Sequence, residues 1–299
     1  MSPLLTRRRV LAVKAEVTPG TAVDLTATEA AFNAFDTKIN PNIEFVERPG
    51  QSSLSPLTGS HGGESGQVSF RVELSQSANL TVLLTGCAMA LDSGAYKPAS
   101  GSTTTLTIGV YENGLLKRLR GAMGTFVMNF EAGKPVSLEF TFTGIWEAPS
   151  DVTILAPTYP SYDPPRLADS SILIGAWAPK FATMSIDRGN EVVLREDPSD
   201  PSGYCAAHVT GWKITGSIDP EAGLVATNDP YGDLTAHTEA ALAIVVGASG
   251  GDQVDIDGPA LQFTNVQEAD RNGLQTDAVE FQLNRSADAG DDELAITLS

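Results

Sequence analysis

The sequence predicts a mainly β protein made of two tandem β-sandwich or curled-sheet domains, each with one short helix at its flank. Three observations support this prediction: runs in which apolar and polar residues alternate, a proline-rich segment at the midpoint, and a similar order of elements on both sides of it. The chain has 299 residues, 41% of them hydrophobic and 19% charged. It is therefore long enough to bury one large core or two ordinary ones.

The clearest strand pattern lies at residues 124–146, GTFVMNFEAGKPVSLEFTFTGIW. Apolar residues recur at every second position before and after the segment EAGKP, and side chains of a strand point alternately to opposite faces. Gly133 and Pro135 suit a turn between the two runs. The stretch predicts a β-hairpin with one buried face and one largely polar face.

The midpoint of the chain carries a composition typical of a linker. Five prolines interrupt residues 147–171, and such a connector favours a domain boundary. We therefore predict a first domain at 1–150, a linker at 151–170 and a second domain at 171–299.

The two halves share an order of predicted elements. The segment that begins at Phe35 resembles the one that begins at Phe181, and Glu44 and Glu191 lie 147 residues apart. An alternating strand follows in each half, at 66–74 and 211–219. Next comes a helix, predicted by leucines at helical spacing from 80 to 91 and by capping residues from Asp229 onward, and then a closing hairpin. Because identity is low, the element order carries the hypothesis of an internal duplication.

Net charge is −18 and lies almost wholly in the second half. Residues 151–299 hold 7 of the 19 basic and 24 of the 37 acidic residues. This balance argues against tight nucleic-acid binding, which depends on Lys and Arg. It suits either a surface that nucleic acid passes without sticking or simply a soluble acidic protein.

Catalytic and metal-binding patterns are missing from the sequence. Cys87 and Cys205 are far apart and predict buried free thiols. His61, His208 and His237 lie in no nucleophile or zinc pattern, and no glycine-rich phosphate loop occurs. We predict no enzyme activity, no cofactor and no metal.

The sequence also predicts no targeting segment. The apolar run after the opening arginines is short and soon meets Lys14 and Glu16, whereas an export signal needs about 7 to 15 apolar residues. No stretch has the ~18 apolar residues of a membrane helix. The expectation is a protein made in a reducing cytoplasm, with no membrane partner.

Several segments together resemble the tail tube proteins of long-tailed bacteriophages. They are KAEVTPGTA at 14–22, VERPG at 46–50, YENGLLKRLRGAMGTFVMNFEAGKPVSLEFTFTG at 111–144, and the closing strands from GPALQF to DDELAITL at 258–298. The resemblance spans essentially the whole chain. Its motifs are structural and include no catalytic residue.

The resemblance implies rings of subunits whose sheets join into a tube barrel, with stacked rings forming the channel through which the genome leaves. Most relatives carry one tube domain per chain and form hexamers. With a duplicated domain, a trimer with pseudo-sixfold symmetry is favoured, and a hexamer is the alternative. The expected partners are other copies of the chain, other tail proteins and DNA that passes without specific binding. The expected location is the virion tail, after synthesis in the host cytoplasm.

The polar faces of the two closing hairpins are the candidate channel lining. Glu139 and Glu280 occupy the same position in the phrases LEF and VEF, and Thr141 and Gln282 follow them two residues later on the same face. The alternative is that this face points outward to solvent.

Residues 48–66 are predicted to form a long polar loop between two strands. The candidates for contacts between neighbouring subunits or stacked rings are Pro49, Ser53, Leu54, Pro56, Leu57 and His61. Such a loop is either functional or merely mobile. Its shorter counterpart in the second half is predicted at 196–208.

A second function class is compatible with a β-sandwich prediction. A virion or cell-surface binding module, such as an adhesin or a carbohydrate-binding domain, has the same architecture. Carbohydrate binders often expose aromatic platforms, whereas this chain has 7% aromatic residues and three Trp.

Overall fold

A computed structural model describes residues 7–52, 54–74, 77–161, 164–247 and 253–298. Within these residues the protein forms seventeen strands and two short helices, which confirms the prediction of a mainly β fold. The first half contains β1 (Arg9–Ala15), β2 (Ala34–Arg48), β3 (Leu57–Glu73), α1 (Ala78–Gly86), β4 (Met89–Asp92), β5 (Ala95–Pro98), β6 (Leu106–Glu112), β7 (Leu115–Glu131) and β8 (Ser137–Asp151). The second half contains β9 (Ser171–Ile174), β10 (Phe181–Asp187), β11 (Asn190–Glu196), β12 (Tyr204–Trp212), β13 (Thr215–Pro220), α2 (Pro230–Ala236), β14 (Glu239–Val246), β15 (Val254–Arg271), β16 (Leu274–Asn284) and β17 (Ala295–Leu298).

Fifteen of these strands belong to one large sheet, and β11 and β12 form a separate two-stranded sheet. The central path of the large sheet runs β2, β3, β8, β7, β10, β13, β16, β15. The first four strands come from the first half of the chain and the next four from the second half. In both sets two neighbouring strands of the sheet are followed by a hairpin whose later strand lies nearer to them. Strands β2 and β3 are consecutive in the chain, whereas β11 and β12 lie between β10 and β13. The sheet does not close into a barrel within one chain.

The two halves meet where β7 pairs antiparallel with β10. We call this strand pair the internal seam. It spans residues 127–131 of β7 and 183–187 of β10, and Asn129 lies opposite Ser185. The central sheet is therefore continuous across the midpoint of the chain.

The predicted hairpin at 124–146 is confirmed as β7 and β8. Phe126, Met128, Phe140 and Phe142 are fully buried on one face, and the residues between them are exposed or half-buried. The rings of Phe140 and Phe142 stack with centroids 5.8 Å apart. Alternation of apolar and polar residues predicted this face correctly because each strand buries only one side.

Helix α1 covers the buried face of the first half but is shorter than predicted. Ser77 caps its first turn by accepting a hydrogen bond from the backbone N–H of Leu80 at 3.1 Å. The helix ends at Gly86, and the predicted continuation to Leu91 is wrong. Ala88 has a positive φ of 54°, which stops the helix, and Leu91 lies in β4 with 56% of its surface exposed.

Helix α2 confirms the second predicted helix. Asp229 accepts a hydrogen bond from the backbone N–H of Gly232, and Pro230 occupies the first turn. His237 adopts the left-handed conformation at the C-terminal end. The helix has few apolar residues at helical spacing, and it accordingly buries little of its surface, with Pro230 as its one buried residue.

The predicted long loop at 48–66 is mostly strand, so the prediction was wrong in extent. Strand β2 ends at Arg48 and β3 begins at Leu57, so the connection between them is much shorter than predicted. Residues 42–64 form the outer part of the β2–β3 hairpin, which we call the first arm, because β3 pairs with β8 only from Ser65 onward. Gly and Ser in a strand exposed on both faces give no apolar alternation, which is why the sequence indicated a loop.

The second half has a corresponding but separate hairpin, which we call the second arm, formed by β11 and β12 at residues 190–212. The predicted loop at 196–208 shrinks to residues 197–203, because β12 begins at Tyr204. The segment that begins at Phe181 divides into β10 and β11 at Gly189, which has a φ of +61°. A Cβ on this glycine would lie 2.2 Å from the carbonyl oxygen of Lys213, so only glycine fits this bend.

Candidate functional site: the polar face of the central sheet

Glu139 lies near the start of β8, between Arg71 on β3 and Val127 on β7. Its neighbours along the strand, Leu138 and Phe140, are buried, so the pleat places Glu139 on the opposite, exposed face. Thr141, two residues further on, lies on the same face and is half-buried.

Glu280 and Gln282 occupy the corresponding side of β16. Glu280 pairs with Ser217 on β13, and Gln282 pairs with Thr215. Val279 and the intervening Phe281 are buried on the other side. Glu280 is exposed and Gln282 is half-buried.

All four predicted residues lie on one face of one continuous sheet. A cross-strand row connects Glu139 to Gln282 through residues on β7, β10 and β13, and the row next to it contains Glu280. Read across the strands, the first row is Phe35–Arg71–Glu139–Val127–Asp187–Thr215–Gln282–Gln262. The second row is Glu73–Ser137–Asn129–Ser185–Ser217–Glu280–Asn265. A third, shorter row contains Thr141 and is Lys38–Ser69–Thr141–Thr125. We call these three rows the polar face.

The polar face is acidic. Its rows contain four carboxylates, from Glu73, Glu139, Asp187 and Glu280, and two cations, from Lys38 and Arg71. The net charge of the polar face is therefore −2 per chain. Beyond these rows, Glu131 pairs with Lys134 at 2.6 Å and Asp219 pairs with Arg271 at 3.1 Å. The carboxylates at the ends of the strands are thus neutralised, whereas Glu139 and Glu280 have no ion pair within the described residues.

The first arm carries the predicted contact residues. Three of them, Pro49, Leu54 and Pro56, lie in its turn, and Leu57 begins β3 with 53% of its surface exposed. His61 lies on β3 rather than in a loop, with its Nε2 atom 3.9 Å from Glu64 Oε1. Ser53 falls outside the described residues. The arm therefore brings these candidates together at one projecting end.

The sequence did not single out the apolar surface of the first arm. Ile43, Phe45 and Val46 on β2 are 44%, 69% and 41% exposed. Side chains of this size are normally covered, and a contiguous exposed apolar patch is typical of a contact surface. They were missed because Ile43 and Phe45 alternate with Asn42 and Glu44, a pattern that indicates a strand with one buried face rather than an exposed apolar surface.

The second arm, in contrast, packs against the first half of the same chain. Val192 and Leu194 pack against buried Met123 and Ala207. The guanidinium of Arg120 donates to both carboxylate oxygens of Asp200 at 2.9 Å. This bidentate ion pair and the apolar cluster hold the arm on β7 and β8.

Strand β1 is anchored by Glu16, from the opening segment KAEVTPGTA. The buried carboxylate accepts hydrogen bonds from the backbone N–H groups of Gly20 and Gly121 and from the hydroxyls of Thr105 and Thr107, at 2.6–2.8 Å. No local pattern indicated this network, because its donors lie up to 105 residues away in the chain.

Arg188 links the internal seam to the second arm. Its backbone N–H donates to the carbonyl of Phe126 at 2.9 Å, and its buried guanidinium lies 4.3 Å from the ring centroid of Trp212. Burial lowers the pKa of Arg188 to about 10, so the side chain keeps its charge at neutral pH.

The structure offers little for catalysis. Cys87 is buried, and burial raises the pKa of its thiol, which makes it a poor nucleophile. Cys205 is half-exposed, so the prediction of a buried thiol is wrong at that position. Among the described residues no group of three or more His, Cys, Asp or Glu side chains is arranged to hold a metal ion.

A long β-sheet with one aromatic core face, one polar face and a projecting arm defines a structural protein rather than a protein built around a pocket. The chain belongs to the phage tail tube protein family, because the family model with that description matches residues 6–294. It is therefore a structural component of the virion tail. Membership implies self-assembly and association with other tail proteins.

A comparison with curated proteins found no match. No helix within the described ranges is long and apolar enough to cross a membrane.

Proposed function

We propose that three chains form a ring of six similar domains, that rings stack into the tail tube, and that the polar face lines the channel through which the genome leaves. Each chain supplies two copies of a tube domain, at 1–150 and 171–299, joined by the linker at 151–170. The strand order carries this proposal.

The central sheet repeats one four-strand unit. The path β2, β3, β8, β7 is followed by β10, β13, β16, β15, with the same internal order in each set. Four strands that pair in this order twice, in one continuous sheet, favour a duplication over two unrelated domains. A repeating unit that adds to itself in one direction generates a ring when the rotation closes.

The charge of the polar face supports its assignment to the channel. DNA carries one phosphate charge per about 1.7 Å of helix axis. A wall rich in Lys and Arg would retain such a polyanion, whereas the net −2 of this face repels it. Glu139 and Glu280 lie in neighbouring rows, so their charges would recur around the wall.

The first arm supports contacts between neighbouring subunits or stacked rings. The ring of Phe45 lies over Gly59 of the same arm, but Ile43, Phe45 and Val46 stay 44%, 69% and 41% exposed, whereas the second arm is already packed on the first half. The turn with Pro49, Leu54 and Pro56 lies at the tip of the arm, where it reaches furthest from the core. Other tail proteins would meet the same surfaces at the two ends of the tube, after synthesis of the chain in the host cytoplasm.

Native mass spectrometry of rings purified before stacking tests the proposal. Three chains of 31.4 kDa give a ring of about 94 kDa. A ring of about 188 kDa contains six chains, which would leave one domain of each chain outside a sixfold tube and would refute the duplicated-ring arrangement. A monomer under all conditions that support tail assembly would refute ring formation itself.

A further inference from the structure

We infer that the junction between neighbouring chains copies the internal seam, with β15 of one chain pairing antiparallel with β2 of the next chain so that Gln267 lies opposite Phe35. This inference rests on the proposed ring. It names the two edges, the register and the charged groups that meet there.

Within the described residues, the two strands at the ends of the central path, β2 and β15, each have an open edge. Strand β2 pairs with β3 on one side and with no strand on the other. Strand β15 pairs with β14 and β17 through its first half, but residues 263–271 pair only with β16. An unpaired edge presents free backbone N–H and C=O groups and is a template for another strand.

The closing hairpins establish which residues of β15 and β7 are equivalent. Glu139 and Glu280 hold the same position, and they pair with Val127 on β7 and Asn265 on β15. Two residues further along, Asn129 is therefore equivalent to Gln267.

The same reasoning relates β2 to β10. Glu139 pairs with Arg71, which pairs in turn with Phe35. Glu280 pairs with Ser217, which pairs in turn with Ser185. Phe35 is thus equivalent to Ser185. The sequence comparison had instead matched Phe35 with Phe181, which lies four residues before Ser185. The bulge in β2 between Phe35 and Lys38 accounts for part of this difference.

The register between chains follows from these equivalences. Asn129 lies opposite Ser185 across the internal seam. Their counterparts Gln267 and Phe35 are then opposite each other across the junction, on the polar face. One position further, Glu268 lies opposite Ala34 on the buried side.

The charges at the two edges are complementary in this register. Glu268 lies directly opposite Asp277 on β16, and like charges in this position destabilise a sheet. At the other edge, a cavity of about 630 Å³ beside Ala34 and Phe35 is lined by Arg7, Arg9 and Asp36. Arg9 already pairs with Glu112 at 2.6 Å, so Arg7 is the cation available to a partner there. Glu268 of one chain would enter this cavity of the next chain, where a cation relieves the repulsion.

The chemistry of the edges favours a second copy of the chain over another partner. Glu268 on β15 and the cavity with Arg7 beside β2 lie at opposite ends of one continuous sheet path, as a head-to-tail ring requires. The internal seam shows that these two strand types already pair within the chain.

Cysteine cross-linking tests the register. A chain with Phe35→Cys and Gln267→Cys, in a Cys205→Ser background, is assembled and oxidised, and the products are separated without reductant. Residues opposite each other in an antiparallel pair have Cα atoms about 4.5–5.5 Å apart, within the range of a disulfide. We expect covalent dimers and trimers that a reductant converts to monomers.

Three controls make the result specific. The pair Asn129→Cys and Ser185→Cys should form the equivalent bond within one chain and give no covalent oligomer. The pair Ala34→Cys and Gln267→Cys points to opposite faces and should not cross-link. Glu268→Arg should reduce ring formation, and Arg7→Glu in the same chain should restore it in part.

The outcomes separate this inference from the ring proposal. Rings of normal mass that fail to cross-link through residues 35 and 267, or that cross-link equally through 34 and 267, overturn the register and leave the ring intact. Absence of rings from the unmodified chain overturns the ring and the junction together.

Discussion

Reversing the charge of Glu139 and Glu280 should slow genome release without preventing tube assembly. Both side chains are exposed and have no ion pair within the described residues, so lysine replaces them at the cost of one long hydrogen bond, from Asn265 Nδ2 to Glu280 at 3.5 Å. Each change adds two positive charges. The polar face of one chain goes from −2 to +2, and that of a three-chain ring from −6 to +6.

The consequence follows from the density of phosphates on DNA. Every ring of the variant tube would present cations to the passing duplex, and the retention would be summed over all stacked rings. Because the Debye length is about 10 Å at 0.1 M salt and about 30 Å at 0.01 M, retention should strengthen as salt is lowered. The affinity of a cationic surface for DNA falls steeply with salt concentration.

The assay is triggered genome ejection from assembled particles, followed by the fluorescence of a DNA-binding dye over a range of ionic strengths. Glu139→Gln with Glu280→Gln removes the charge without adding cations and should have a much smaller effect. Glu196→Lys with Asp288→Lys adds the same charge outside the central sheet and should eject normally. Normal ejection by the Glu139→Lys and Glu280→Lys variant at every ionic strength would refute the assignment of this face to the channel.

Three further predictions concern stability and assembly. Glu16→Ala should lower the free energy of unfolding by about 3 to 5 kcal/mol, because four buried donors lose their acceptor, as measured by chemical denaturation. Lys14 and the hydroxyl of Thr26 lower the pKa of Glu29 from 4.5 to about 2. The stability that this carboxylate contributes is therefore complete above about pH 5 and is lost as pH falls towards 2. The difference in free energy of unfolding between the parent protein and Glu29→Gln should shrink over that range. Shortening the first arm within residues 50–63 should leave a folded protein that no longer forms tubes, as seen by circular dichroism and electron microscopy.

Each of these predictions has a contradicting result. Loss of less than about 1 kcal/mol in Glu16→Ala would mean that the carboxylate is not the anchor of β1. If the free energies of unfolding of Glu29→Gln and the parent differ by the same amount from about pH 5 to 2, the ion pair with Lys14 does not stabilise the folded state. Normal tubes from the shortened arm would place the ring contacts elsewhere.

The sequence predicted those parts of the fold in which one face of a strand is buried and the other is not. Phe140 and Glu139 occupy opposite faces as the alternation indicated. The four polar candidates share one face for the same reason. The row that joins Glu139 to Gln282 across the internal seam required the register of five strands, which no local pattern contains.

The features that the sequence did not predict depend on residues far apart in the chain or on exposure of both faces. The first arm was taken for a loop because Gly and Ser alternate with nothing apolar along it. The end of α1 depends on the positive φ of Ala88, a residue with no preference for that conformation. The stacking of Arg188 on Trp212 joins residues that only the fold brings together.

A cryo-electron microscopy map of assembled tubes tests the central proposal most directly. We predict threefold rings with pseudo-sixfold symmetry, in which β15 of each chain adjoins β2 of the next and the side chains of Glu139 and Glu280 point into the channel. Six chains per ring with the second half on the exterior, or both glutamates on the outer wall, would contradict it.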